Sequence, residues 1–347
     1  MTAIEIDGSR GEGGGQVLRS ALALSLVTGT PFRMTNVRAG RKRPGLMRQH
    51  LTAVMAAAEV GGASVTGAEI GSRELSFSPG PVRAGEYRFS VGTAGSATLV
   101  FQTVFPALAL ASGRSTVVVE GGTHNPLAPP FDFLARAFLP LVARMGPRAS
   151  AVLERPGFYP AGGGRFRVDI EPAPAFGPLV LPERGAILER RATAVVALLS
   201  RSIAERELRV VREKLNWDPE CARIEHVQDA VGPGNALIVD IVSEQVTEVF
   251  TGFGERGVSA ERVGAEVAED VAQYLGAGVP VGRHLADQLL LPMALGAGGS
   301  FRTLAPSKHT RTHADLLRAF LGVDIQLREI GERVWEIAVP ARGGSDV

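Results

Sequence analysis

Gly11-Glu12-Gly13-Gly14-Gly15-Gln16-Val17-Leu18-Arg19-Ser20 stands almost at the start of the chain. Glycines in such a run build no core and weaken any helix or strand interior. They belong where backbone must come close to something else. Directly after them Leu18, Ala21, Leu22, Ser25 and Leu26 fall on one helical face, and Gly29 ends the run. A glycine loop feeding a helix presents free N–H groups and the positive end of the helix dipole, an arrangement that suits anions. Arg19, one turn in, adds a cation. Glu12 conflicts with a phosphate at this place unless a divalent metal lies between the two. No Gly-Lys-Ser/Thr follows, so this is not a Walker A loop, and the full dinucleotide fingerprint is absent. Two readings stay open on this stretch alone: a phosphate cradle, or a glycine turn packed tightly on a sheet.

Working outward, the same order of elements returns. After the first helix, residues 30–38 alternate like a strand. Arg38, Arg41, Lys42 and Arg43 then form a basic loop. A second helix places Leu51, Val54, Met55 and Ala58 on one face, with Gln49 in its first turn and Gly61-Gly62 closing it. Residues 63–80 read as two short strands. A second glycine loop, Gly92 to Ser96, opens a helix that runs to Gly113 with a kink at Pro106. A strand over 114–120, a loop over 121–130, a helix over 131–145 and strands to Glu171 follow. Near the end, Gly282 opens a helix over 283–295. A strand over 301–304, a loop over 306–313 carrying His309, a helix over 314–321 and two strands complete a third copy.

Three such copies constitute an internal repeat. The interval from Gly113 to Gly298 exceeds that from Gly29 to Gly113 by about a hundred residues, so the third copy holds an insertion. Residues 184–278 have their own strands, a charged amphipathic helix over 203–215, and a helix capped by Ser259. The expected fold is therefore α/β, of α+β type. Three helix–strand–loop–helix–strands units pack helix-inward in a large domain of residues 1–183 and 279–347, with a smaller α/β domain over 184–278 inserted in the third.

Composition narrows the function. Of 347 residues, 45% are hydrophobic and 21% charged, enough for two domains with cores. The net charge of +1 places any nucleic-acid contact on a local patch. A single cysteine, Cys221, excludes an internal disulfide framework and fits a reducing cytosol. The first residues lack a signal-peptide pattern and the apolar runs are too short for a bilayer, so a cytoplasmic protein without membrane contact is expected. The sequence leaves the oligomeric state open.

Six histidines carry the remaining chemistry. His226 reads as structural, and His50 lies in a helix beside Gln49. His309 and His313 have the spacing of two metal ligands on a helix face, but Thr310 stands where the zincin glutamate would be, and no further ligands complete a site. His309 occupies the loop that corresponds to the basic loop of the first copy, between Lys308 and Arg311. Neutral imidazole there is a competent nucleophile toward phosphorus. Asp287 and Gln288, at a helix start, could read a nucleobase edge or cap the helix.

With these residues in place, the chain resembles the RNA 3′-terminal phosphate cyclases. The likeness covers nearly its whole length. It rests on the opening stretch, on Arg38 to Arg41, on Lys42-Arg-Pro-Gly-Leu-Met-Arg-Gln-His-Leu51, on Gly157-Phe-Tyr-Pro-Ala-Gly-Gly-Gly164, on Gly232-Pro-Gly-Asn235 and on His284-Leu-Ala-Asp-Gln-Leu-Leu-Leu-Pro-Met-Ala294. The resemblance implies three βαβαββ-like units with the smaller domain inserted in the third, in a large domain akin to enolpyruvyl transferases. It implies ATP-dependent conversion of an RNA 3′-phosphate to a 2′,3′-cyclic phosphate through histidine–AMP and RNA(3′)pp(5′)A intermediates, releasing pyrophosphate and AMP. His309 matches the family nucleophile, and Glu12 the glutamate associated with Mg or Mn. Arg19, Gln49 and Gln102 match ATP-site positions, as do His284, Leu285, Ala286, Asp287 and Gln288 on the nucleoside. Pro129 and Phe133 match the apolar wall of the adenosine pocket, and Arg38 and Arg41 fit the RNA terminal phosphate. His284 stands where bacterial members commonly have tyrosine, and His313 where asparagine often follows the nucleophile. Three other readings stay open: a nucleic-acid 5′-end adenylyltransferase, a non-catalytic cyclase-like RNA-processing protein, and an enolpyruvyl-type transferase.

Overall fold

The structure is a computed structural model that describes residues 2–342; position 1 and positions 343–347 of the expected large domain lie outside the described residues. The fold is mixed α/β, with four four-stranded sheets. The first stretch runs β1 (Ile4–Asp7), α1 (Gly15–Thr28), β2 (Phe32–Thr35), α2 (Arg48–Gly61), β3 (Ser64–Thr66) and β4 (Leu75–Ser78), with strand order β1-β2-β4-β3. The second runs β5 (Glu86–Ser90), α3 (Ala97–Leu108), β6 (Ser115–Gly121), α4 (Phe131–Phe133), a π-turn over Leu134–Phe138, α5 (Leu139–Arg144), β7 (Arg148–Arg155) and β8 (Gly164–Glu171), with order β5-β6-β8-β7. In both sheets the first two strands are parallel and the others pair antiparallel.

After β9 (Leu179–Leu181) come β10 (Ile187–Ala197), α6 (Arg201–Leu215), β11 (Ala222–Val227), β12 (Gly234–Ser243), β13 (Thr247–Phe253) and α7 (Ala260–Ala277), whose strands form a sheet of order β11-β10-β12-β13. The chain then continues through α8 (Arg283–Leu295), β14 (Gly299–Thr303), α9 (Lys308–Leu321), β15 (Gln326–Gly331) and β16 (Val334–Val339). These strands join β9 in the order β9-β14-β16-β15, with β9 and β14 parallel.

Helix α1 is buried nearly all round, from Val17 to Leu26, because α2, α3 and α9 all pack against it. The largest apolar cluster gathers Leu18, Leu22, Val54, Phe101, Phe105, Phe166, Leu289 and Phe301, and takes in Val195, Ile238 and Val249 from β10, β12 and β13, so it draws on all four sheets. A second cluster, with Leu208, Leu237, Val239, Val263, Val267 and Tyr274, lies between the β10–β13 sheet and helices α6 and α7. Buried charges join the two parts. Asp132 accepts from His124 Nε2 at 2.8 Å and pairs with Arg136 at 2.8 Å, and Arg136 reaches Asp240 on β12 at 3.0 Å. Burial works against the charge of Asp132, but His124 and Arg136 hold its carboxyl below the usual range.

Several sequence expectations shift. Helix α3 stops at Leu108, five residues before Gly113, because Pro106 interrupts its backbone ladder and the chain turns over 109–113. Gly113 therefore does not close that helix as Gly29 closes α1 in the left-handed conformation. Met55 is exposed, and Ala53, Val54, Ala57 and Val60 form the buried face of α2 instead. The short opening strands β1 and β5 escape a helix-centred reading, although Ile4-Glu-Ile-Asp7 and Glu86-Tyr-Arg-Phe-Ser90 both alternate.

One buried acid gives a stability prediction. Glu248 on β13 is fully enclosed, and its Oε2 accepts from Gly282 N–H, at the start of α8, at 2.6 Å. Burial pushes its carboxyl up to about 8. The folded value lies above the unfolded one, so the folded state holds the proton more tightly. That contribution is complete below the unfolded carboxylate value and is lost as pH rises through about 8. Glu248→Gln keeps an acceptor for Gly282 and has no charge to bury. Thermal melts should show the variant gaining stability over the parent at pH 8.5, by more than about 1 kcal/mol, with little difference at pH 5. Parallel melting profiles across that range would refute the assignment.

Candidate active site

The glycine loop and the start of α9 meet although they lie at opposite ends of the sequence. Glu12 N–H donates to Thr312 Oγ1 at 3.0 Å. Gly11 has φ +64°, and a side chain there would run into Thr312. Gly14 has no room for a Cβ between the Glu12 carboxylate and Arg41. The close approach that the glycines signalled is thus made first to the chain's own polar side chains.

Glu12 is almost entirely enclosed and central. Its Oε2 pairs with Arg41 Nη2 at 2.6 Å and lies 3.9 Å from His309 Nδ1. Its Oε1 accepts from Gln16 N–H at 3.3 Å, so the carboxylate covers a first-turn donor of its own helix. The electrostatic conflict expected of Glu12 is met here by Arg41. Arg19 and Arg38 add to the positive field around it. Burial pushes Arg19 down to about 10, opposed by Glu12 and Asp287. Burial and Arg41 lower Arg38 against the pull of Glu12. Arg38 is fixed by donating to the carbonyls of Arg43 at 2.9 Å and Gly45 at 2.7 Å.

His309 belongs to a helix, not to a loop. Ser307 Oγ accepts from Thr310 N–H and caps α9, which begins at Lys308. His309 therefore sits in the first turn, half exposed, and its Nδ1 lies 2.8 Å from Gln16 Oε1. The amide of Gln16 is oriented from behind: its Nε2 donates to both oxygens of Asp287, at 2.7 and 2.8 Å. Gln16 Oε1 is then an acceptor, and Nδ1 of His309 donates to it. Asp287 is enclosed. Burial opposes its ionisation, but His313 and Gln16 hold its carboxyl below the usual range. Asp287 lies a turn inside α8, whose N-cap is Gly282, so it does not cap that helix.

Sequence reading overlooked Gln16 as a site residue, though its place four residues after Glu12, at the first helical turn, was the available signal. His313, a turn further along α9, has partners of its own: its Nδ1 meets the Asp287 carbonyl at 3.1 Å and its Nε2 meets Ser20 Oγ at 3.1 Å. Among the described residues no group of three or more His, Cys, Asp or Glu side chains could hold a metal ion.

The other expected positions surround this centre at different depths. Gln102 Nε2 donates to Gln288 Oε1 at 2.9 Å, and both line a cavity of about 60 Å3 with Arg19, Ser20, Thr103 and His313. Gln49 Oε1 accepts from Ser96 N–H at 2.9 Å and ties α2 to the second glycine loop. His50 next to it is buried beneath Gly15. Burial, then Arg19, Arg38 and Arg41, push it down to about 3, so it is neutral. His284 is exposed on the first turn of α8, while Leu285 and Ala286 are packed in the core. Phe133 is buried in α4, and the half-buried Pro129 accepts from Thr98 Oγ1 at 2.6 Å through its carbonyl. Pro129 stands on the β6–α4 connection and Phe133 ends α4, whereas Glu12 precedes α1 and His309 opens α9.

A buried carboxylate, converging guanidinium groups and a half-exposed imidazole meet at one place, a constellation suited to anions. A family model described as RNA 3′-terminal phosphate cyclase matches residues 10–327. Proteins named RNA 3′-terminal phosphate cyclase from Koribacter versatilis (strain Ellin345) and Ralstonia nicotianae (strain ATCC BAA-1114 / GMI1000) are each 53% identical to this chain. The first alignment covers 95% of the chain and 93% of that relative, the second 94% and 93%. One from Salmonella paratyphi C (strain RKS4594) is 49% identical over 94% of both. The chain belongs to the RNA 3′-terminal phosphate cyclase family.

Proposed function

We propose that the protein converts an RNA 3′-terminal phosphate to a 2′,3′-cyclic phosphate at the expense of ATP, with His309 as the nucleophile. The observation that carries this reading is the Asp287–Gln16–His309 arrangement, in which Gln16 engages Nδ1 and so assigns Nε2 the attack, on a ring whose Nδ1 lies 3.9 Å from the Glu12 carboxylate that Arg41 pairs with. Nε2 attacks the α-phosphorus of ATP, a P–N bond forms, and the bond to the β-phosphate breaks to release pyrophosphate. An oxygen of the RNA 3′-phosphate then takes the AMP as the P–N bond breaks. The neighbouring 2′-OH attacks the activated phosphorus, and AMP leaves with its bonding electrons. The last step is intramolecular, which removes most of its entropic cost. The need for a 2′-OH selects RNA over DNA.

Arg19 and Gln102 serve the ATP phosphates, and Gln49 supports the same side. Asp287 and Gln288 read the nucleoside, with His284, Leu285 and Ala286 shaping that side of the pocket and Pro129 and Phe133 forming its apolar wall. Arg38 and Arg41 hold the RNA terminal phosphate, since guanidinium forks match phosphate geometry. The single carboxylate of Glu12, enclosed and facing both Arg41 and His309, fits a Mg- or Mn-like ion that takes its other ligands from phosphate and water. Such an ion, held by Glu12, would neutralise phosphate charge during transfer.

The same reading treats the β1–β4, β5–β8 and β9/β14–β16 groups as three copies of one βαβαββ unit, packed helix-inward. Residues 184–278 are then an insertion in the third. The shared strand order and the separate apolar cluster of β10 to α7 support it. Limited proteolysis should cut near the two junctions, and early cuts scattered through 184–278 would contradict it.

Incubation of a 3′-phosphate oligoribonucleotide with ATP and Mg or Mn, followed by end-group analysis, tests the activity. The expected product is a phosphatase-resistant 2′,3′-cyclic end together with AMP and pyrophosphate. A 3′-phosphate that stays fully phosphatase-sensitive would refute it.

A further inference from the structure

The hairpin Gly157 to Gly164 takes no part in the chemistry above, yet the structure packs it against the second glycine loop. Phe158 is its buried anchor, packed on the ring of His124 with centroids 5.4 Å apart. Gly162 N–H donates to Phe158 O at 2.6 Å, and the backbone at Gly162 lies against Ala94 and Thr93 of the second glycine loop. Gly157 and Gly164 are packed back to back with no space for side chains. The residue after the anchor, Tyr159, turns outward and is 66% exposed. The chain has three tyrosines; Tyr87 and Tyr274 are buried with their hydroxyls bonded, so Tyr159 alone offers its ring to solvent. Leu127, on the loop beside the hairpin, and Val231, which packs over Gly163, are exposed as well. An aromatic ring held out on a stiff hairpin between exposed aliphatic side chains is a recognition surface rather than a core defect.

Contacts lead from this ring to the reactive centre. The hairpin touches the second glycine loop at Ala94; Gly95 of that loop abuts Gln49; Ser96 N–H is held by Gln49; and His50, next in sequence, lies under Gly15 beside Arg19. Arg41, Lys42, Arg43 and Arg48 are exposed on the loop that enters α2 and on its first residue, just before Gln49. A route that is cationic at one end and aromatic at the other matches a single strand of nucleic acid, whose phosphates take the charges and whose bases take the ring.

We propose that Tyr159 is a stacking platform for a base of the RNA strand upstream of its 3′-terminal nucleotide. The inference rests on the cyclase reading and adds where the strand leaves the site. The terminal phosphate sits at Arg38 and Arg41, the chain passes Gln49 and the Gly92–Ser96 loop, and an upstream base lies on the ring. Stacking tolerates every base, so the platform selects for length and single-strandedness rather than for sequence.

Three measurements on Tyr159→Ala and Tyr159→Trp test it: KM for a 3′-phosphate oligoribonucleotide, KM for a single nucleoside 3′-phosphate, and self-adenylylation with ATP alone. Tyr159→Ala should raise the oligonucleotide KM by about 10- to 100-fold. The other two quantities should not change, and Tyr159→Trp should restore the oligonucleotide KM. An unchanged oligonucleotide KM in Tyr159→Ala, or an equal rise for the nucleoside 3′-phosphate, overturns the platform and leaves the patch to another partner such as a protein. If the parent enzyme neither adenylylates itself nor cyclises any end, the cyclase reading fails. Fluorescence anisotropy of the same oligonucleotide with the parent and with Tyr159→Ala then decides the platform separately, equal binding or no binding counting against it.

Discussion

His309→Ala should leave no covalent adduct when the protein is incubated with α-labelled ATP and Mg or Mn, and the rate of cyclisation should fall by at least about 10³-fold. The expectation follows from position. His309 is half exposed on the first turn of α9, and that turn is capped by Ser307, not by the imidazole. Alanine is a good helix former there, so the fold should persist and the loss should be chemical. The variant should melt within a few degrees of the parent. A full adduct on the alanine variant would move the nucleophile elsewhere. His313 would not be the substitute, because both of its ring nitrogens are engaged, by the Asp287 carbonyl and by Ser20.

Arg41→Ala should separate the two halves of the reaction. Arg41 stands on the basic loop with part of its guanidinium in solvent and one nitrogen 2.6 Å from Glu12. If it receives the RNA phosphate, its loss should slow AMP transfer to RNA by about 10²-fold while self-adenylylation falls by less than about tenfold. Single-turnover assays that start from pre-formed adduct measure the first, and adduct formation from labelled ATP measures the second. Equal losses would assign Arg41 to ATP. Arg41→Lys should recover only part of the transfer rate, because an ammonium keeps the charge without the planar fork.

Much of this site was readable from the residues, for reasons that differ by position. Glycines report close approach, so the opening stretch announced a crowded junction; it could not announce that Thr312 and Arg41 would fill the space. The alternation in β2 and the apolar spacing of α8 are strong periodic signals, and both elements lie where expected. The start of α9 was placed too late, because Lys308 to His313 is polar and reads as loop until Ser307 is seen as a cap. Gln16 was missed because an amide has no titration or metal chemistry to draw notice. Its role exists only through Asp287 on one side and His309 on the other, neither of them near it in sequence. Met55 misled for the opposite reason: its apolar side chain fits the helical stripe, but the compact Ala53, Val54 and Ala57 let α2 sit closer to its neighbours.

The contact between Gln16 and His309 spans 293 residues, and that between Glu12 and Thr312 spans 300. On a ribosome adding about 5–20 residues each second, roughly 15 to 60 s separate the making of the two halves of the centre. Throughout that time the growing chain holds its guanidinium groups and its carboxylate without the imidazole of α9. With His309 as the proposed nucleophile, a chain that stops short of α9 should be chemically silent toward ATP.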